Sequence, residues 1–200
     1  GYGRMFKKWL LSDIAPSWGN GAAMRVSPTA YVGRNVKEVR VLADRTAVTS
    51  HNHADSENGA KAFATAIWLA NHETAPEEIR ADISARYHYD LSPSVNTLRS
   101  ENPFDRACKG TVQISLICAL ASNTFEDAVR NAVSLGGYSD TLACITGSIA
   151  EASHGVPRDI AEKSISYLTS DLSQIALNFK KRYPPLPAEG AASRYNVVSL

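Results

Sequence analysis

Ala60, Phe63, Ala64, Ile67 and Trp68 fall at i, i+3, i+4, i+7 and i+8, one face of a helix with 3.6 residues per turn. The same spacing returns in Phe125, Ala128, Val129, Ala132 and Val133, in Ile114, Ile117, Cys118 and Ala121, and more loosely in Ile160, Ile165 and Leu168. These stripes read as core faces. A strand would need apolar residues at alternate positions between turn signals, and no such alternation is sustained in the chain. The sequence therefore predicts an all-α protein, with helices over 4–11, 20–32, 36–49, 55–71, 76–87, 109–121, 124–134, 140–154, 158–169 and 171–182. Pro76 followed by Glu77 and Glu78 marks one helix start, because proline suits the first turn and carboxylates suit the positive end of the helix dipole. Residues 88–108, rich in Ser, Asn and Pro, read as a long irregular connection. Residues 183–200, with Pro184, Pro185, Pro187 and Gly190, bury too little to offset ordering entropy and read as a flexible tail after one helical domain over 1–182.

Two hundred residues are enough for one substantial core. The 21 basic and 20 acidic residues are interspersed and leave a net charge of +1, so no basic stripe is available to track a phosphate backbone, and nucleic-acid binding is not indicated. Cys108, Cys118 and Cys144 are odd in number and lack zinc-site spacing, so they read as buried thiols in a reducing compartment. No apolar run is long enough to span a bilayer and no signal peptide opens the sequence, so a soluble cytoplasmic protein is expected, with export as an effector left open. The first residue is Gly1 rather than Met, which fits a processed product or an excised fragment.

Three segments carry chemistry. Ser17-Trp18-Gly19-Asn20-Gly21-Ala22-Ala23-Met24-Arg25 joins two glycines, an aromatic plane and an amide ahead of an apolar helix. Glycines let a ligand approach the backbone closely, and the free N–H groups of a helix start favour phosphate; the plainer reading is an Asn-capped helix after a tight turn. Ser50-His51-Asn52-His53 sets two imidazoles at i and i+2, which does not place both on one helical face as a zinc pair would require. Hydrogen bonding is the better role for these histidines, with a structural role equally open for His53. Gly136-Gly137-Tyr138-Ser139-Asp140-Thr141 reads as a helix start, with Ser139 or Asp140 as the cap. It also has the form of a metal-binding turn in which a phenol replaces the first carboxylate.

Taken in order, these segments, together with Cys108-Lys109-Gly110-Thr111, resemble the ADP-ribosylglycohydrolase family. The flanks Asn58-Gly59-Ala60, Phe125-Glu126-Asp127-Ala128 and Gly147-Ser148-Ile149-Ala150-Glu151-Ala152 share the likeness, which runs from about Ser17 to Phe179. The resemblance implies an all-α orthogonal bundle that holds ADP-ribose, or an ADP-ribosylated acceptor, beside two Mg²⁺ ions that orient substrate and water. It places Gly19 and Asn20 against the adenosine or phosphate part, Trp18 in the stacking place and His51 along the ribose and diphosphate, and it leaves Asp140 and Thr141 as metal ligands.

The departures matter as much. The family's other ligands come from a Gly-Asp segment and a Thr-Asp-Asp-Thr segment that precede the Trp-Gly-Asn-Gly motif. Neither occurs in the sixteen residues before Ser17, and the chain contains no adjacent Asp pair. Tyr138 then takes the place of a further carboxylate. The sequence therefore predicts a family member related to hydrolases that remove ADP-ribose, catalytically impaired as this chain and retaining some ADP-ribose binding. Two alternatives accompany it: an active hydrolase completed by a separate N-terminal segment or subunit, and a protein-binding module that uses the former cleft. Self-association is expected if apolar stripes once packed against the missing segment.

Overall fold

The computed structural model describes Lys7, Leu10, Leu11 and residues 17–101 and 106–184. Lys7, Leu10 and Leu11 are helical, while the remainder of the helix expected over 4–11 and the tail from 185 onward lie outside the described residues. The described helices are α1 (Gly21–Met24), α2 (Ser27–Val32), α3 (Val36–Val48), α4 (Ala54–Asn71), α5 (Pro76–Tyr87) and α6 (Val95–Glu101). They continue with α7 (Cys108–Leu120), α8 (Phe125–Ser134), α9 (Ser139–His154), α10 (Arg158–Ser166) and α11 (Ser170–Arg182). No strand occurs among the described residues, only an isolated antiparallel bridge between Gly19 and Ala107.

Helix α4 is the axle of the bundle. Its small residues Gly59, Ala60, Ala62, Ala64 and Ala66 are buried and let neighbours approach from several sides, while Phe63 and Ile67 supply bulk. Helices α1, α2, α3, α5, α7 and α9 all pack on it. Helix α7 is apolar around most of its circumference, from Val112 through Ile114, Leu116, Ile117, Cys118 and Leu120, as expected of a helix enclosed by α4, α8 and α9. No described helix is long and apolar enough to cross a membrane.

Local chemistry sets the helix ends. The Asn35 Oδ1 accepts the Glu38 N–H at 2.9 Å to start α3, and the Thr124 Oγ1 accepts the Asp127 N–H at 3.0 Å to start α8. Pro76 occupies the first turn of α5 with Glu77 and Glu78 beside it, as the sequence predicts. His53 is the N-cap of α4, its Nδ1 accepting the Asp55 N–H at 3.2 Å, which gives this histidine its structural role.

Four expectations change. The helix expected over 20–32 breaks at Arg25–Val26, because Pro28 has no N–H to donate one turn back and its ring would crowd the carbonyl four residues earlier; α2 starts afresh with the proline in its first turn. Residues 88–108 contain α6, started where the Ser94 Oγ accepts the Thr97 N–H at 3.0 Å and buried through Val95 and Leu98. The stripes are narrower than the spacing implies: Ala121 and Val133 are exposed, and α10 and α11 bury no residue. Cys108 and Cys118 are buried, but Cys144 is exposed.

Candidate functional site

The loop before α1 lies along the loop before α7. The Cys108 N–H donates to the Trp18 carbonyl at 2.8 Å, and the Asn20 N–H donates to the Arg106 carbonyl at 3.3 Å, on either side of the Gly19–Ala107 bridge. Ser56, on α4, fastens the same loop from beneath by donating its hydroxyl to the Ser17 carbonyl at 2.8 Å. Two elements distant in sequence thus fix the backbone of Ser17–Asn20.

Asn20 precedes α1, but its side chain makes no capping bond. Its Nδ2 instead donates to the Thr111 Oγ1 in the first turn of α7 at 3.3 Å, so the Asn-capped reading gives way to a cross-link between two site segments. Trp18 is 56 % exposed and meets His53 edge-on, with ring centroids 6.2 Å apart. An exposed indole that is also oriented by a neighbour suits the stacking place.

His51 follows α3 and lies over the glycine turn. A Cβ on Gly21 would come 2.9 Å from its Nε2, and one on Gly19 would come 3.5 Å from the same atom. Glycine is therefore what allows the imidazole to close on this loop. Its Nδ1 lies 2.8 Å from the Ser50 Oγ and 3.5 Å from the Arg25 Nη2. Burial first, and the Arg25 charge second, lower its pKa below the usual histidine value of 6.5 and so favour the neutral ring.

The late turn uses Gly136 and Gly137 at φ of 72° and 63°, a left-handed conformation that side-chain-bearing residues adopt at a cost. Helix α9 then starts with Tyr138 in the N-cap position and no side-chain cap, so neither Ser139 nor Asp140 caps it. The Asp140 Oδ1 accepts the Thr141 N–H at 2.7 Å, and Thr141 is buried with its Oγ1 3.9 Å from the Met24 sulfur at the end of α1. That contact brings the late turn against α1, so Trp18, Gly19, Asn20, His51, Tyr138, Asp140 and Thr141 all gather around one short helix.

Arg106 joins the two halves. Its carbonyl holds the Asn20 amide, and its guanidinium lies 5.0 Å over the Tyr138 ring, within cation–π range. Sequence reading passed over this residue because no spacing rule marks an arginine in a loop.

These residues fit a two-Mg²⁺ centre poorly. Magnesium takes oxygen ligands at near-octahedral geometry, anchored by carboxylates. Asp140 supplies one carboxylate whose Oδ1 already accepts a backbone hydrogen, and the Thr141 hydroxyl is turned toward a thioether. Tyr138 offers a phenol in place of a carboxylate and adjoins a cation. Among the described residues, no group of three or more His, Cys, Asp or Glu side chains is placed to hold a metal ion. Thiol nucleophiles are equally poorly placed, since burial pushes Cys108 and Cys118 up to about 12.

The arrangement is an all-α bundle in which the glycine loop before α1 and the start of α9 meet at one short helix. A solved structure described as an ADP-ribosylglycohydrolase-related protein complex superposes with a TM-score of 0.66 at 21% identity, covering 89% of this chain and 67% of that one, which establishes the fold. Residues 2–186 match the ADP-ribosylglycohydrolase family model, and the chain belongs to that family. Among its relatives is ADP-ribosylhydrolase ARH3 of Danio rerio, 25% identical over 186 residues, an alignment that covers 70% of this chain and 50% of the relative. The chain therefore spans half the length of that relative.

Proposed function

We propose that this chain recognises ADP-ribose, free or on a modified acceptor, through Trp18, Gly19, Asn20 and His51, and that its hydrolytic centre is impaired. The observation that carries the reading is the pair at the late turn. Where the family's Mg²⁺ chemistry needs a carboxylate, Tyr138 presents a phenol with the Arg106 guanidinium 5.0 Å over its ring. A divalent cation at that turn would meet a positive charge and a ring in place of an anionic ligand, and like charges repel strongly where water is partly excluded. The glycine loop, by contrast, keeps the features that polar ligand atoms require: close backbone approach, an ordered amide and a neutral imidazole.

A second reading, hydrolysis by this chain together with a complementing segment, draws support from the half-length match to the Danio rerio relative. Calorimetry with ADP-ribose in EDTA and in Mg²⁺, run beside an assay for ADP-ribose release from ADP-ribosylated arginine and serine peptides, separates the two. Binding in both buffers without turnover is expected. Robust Mg²⁺-dependent release by the unaltered chain would overturn the impairment, and failure to bind in either buffer would overturn the recognition.

A further inference from the structure

Arg25 reaches across the loop in a way that determines where the His51 proton lies. Its Nε donates to the Gly21 carbonyl one helical turn back at 2.9 Å, which anchors the side chain to α1. Its Nη1 donates to the Ser50 Oγ at 2.8 Å, and its Nη2 lies 3.5 Å from the His51 Nδ1. A guanidinium has donors only, so the serine oxygen acts as an acceptor toward it. The serine's single proton is left free for donation to the His51 Nδ1, 2.8 Å away. Two donors converge on Nδ1. The other tautomer, or the imidazolium, would set a third N–H against the arginine charge. The backbone of His51 is fixed as well, its N–H donating to the Ala47 carbonyl at the end of α3 at 2.8 Å.

We propose that Arg25 is a positioning residue that, directly and through Ser50, holds His51 as the neutral tautomer with its proton on Nε2, facing the Gly19–Gly21 turn as a donor to a ligand oxygen. The lowered pKa of His51 agrees with this arrangement. The ligand oxygen is a hydroxyl or a phosphoryl oxygen, the strongest acceptors of the ribose and diphosphate parts of ADP-ribose; this identification of the ligand rests on the function proposed above, whereas the tautomer does not. The device also explains why the turn is glycine at residue 21, where a Cβ would lie 2.9 Å from the donating nitrogen.

The test is two-bond ¹H–¹⁵N correlation of ¹⁵N-labelled protein at pH 7.5, with the His51 signals assigned by their loss in His51→Gln. The unaltered chain is expected to show Nε2–H, and Arg25→Met and Ser50→Ala are each expected to shift His51 toward a mixture of tautomers, with Arg25→Lys preserving part of the bias. An Nδ1–H signal in the unaltered chain, or a tautomer indifferent to both substitutions, overturns the proposal. In calorimetry, Arg25→Met should weaken ADP-ribose binding roughly 3- to 10-fold, the range of one lost hydrogen bond, and should have no further effect in the His51→Gln background. An equal loss in both backgrounds shows that Arg25 acts independently of His51 and overturns the proposal. If the unaltered chain binds no ADP-ribose, the proposed function fails while the tautomer measurement still decides the role of Arg25. Far-ultraviolet circular dichroism confirms folding, and Ser50→Ala carries the test if Arg25→Met unfolds.

Discussion

The sulfur of Cys108 fills the notch that Gly59 leaves in α4: a Cβ at residue 59 would lie 2.5 Å from it. Cys108 cannot readily withdraw, because its own N–H is bonded to the Trp18 carbonyl. Gly59→Ala should therefore destabilise the fold, since overpacking a filled core costs about 1–3 kcal/mol and outweighs the roughly 0.8–1.0 kcal/mol that alanine gains in helix propensity. Cys108→Ala should relieve the clash, so the double variant should be more stable than the sum of the singles predicts. Urea unfolding of all four proteins measures the coupling, and strict additivity would show that the two residues do not meet as described.

Gly21→Ala should separate stability from recognition. The added methyl would displace the His51 ring, the far end of a side chain, while α1 gains a better helix former. Unchanged or slightly higher thermal stability with clearly weaker ADP-ribose binding is expected. Full affinity in this variant would show that His51 does not need to close on the glycine loop.

Acid should weaken the fold through His51. Its folded-state pKa lies below the ordinary value of 6.5, so in the window just below 6.5 the unfolded chain binds the proton more readily than the folded one. Stability therefore falls as pH drops from 6.5 toward the folded-state pKa and is level in this respect above it. Relative to His51→Gln, the unaltered chain should lose ground across that window in denaturant melts; parallel curves for the two proteins would contradict the assignment.

Restoring a carboxylate should not by itself restore a metal site. Tyr138→Asp would place the new carboxylate next to the Arg106 guanidinium, which lies 5.0 Å over the present ring, and the resulting ion pair would compete with Mg²⁺. Titration calorimetry should show no pair of tight Mg²⁺ sites in the unaltered chain, a slight gain in Tyr138→Asp, and a larger one in Tyr138→Asp with Arg106→Met. That gain should vanish on adding Asp140→Ala. Glycohydrolase turnover by Tyr138→Asp alone would refute this account.

Much of the bundle was legible because Ala60, Phe63, Ala64 and Ile67 repeat at the helical period and are buried where the period puts them. Helix α6 was not, because Val95 and Leu98 are too few to form a stripe and its start depends on the Ser94 hydroxyl. The spacing of Ile160 and Ile165 identifies a helix but not what covers it; Leu168 falls beyond its end, and α10 buries nothing among the described residues. At the site, the motifs named the glycine loop and the late turn. They could not show that Asn20 spends its amide on Thr111, that Arg106 covers Tyr138, or that Arg25 orients His51, since each is a contact between segments that periodicity does not relate.

The seam between the Trp18–Asn20 loop and the Arg106–Cys108 loop has a consequence for how the molecule assembles. Asn20 and Thr111 are 91 positions apart in sequence, whereas α3 and α4 pack as immediate neighbours along the chain. Closing the longer loop incurs its entropy before any contact offsets it, so local helix pairs are expected to precede it in folding and to outlast it in local opening. The candidate site thus exists only in molecules that have closed this long-range seam. Slowed amide exchange at Asn20 and Cys108 would report that completion directly, and a bound ligand, by holding both loops at once, would act as a clasp on the folded state.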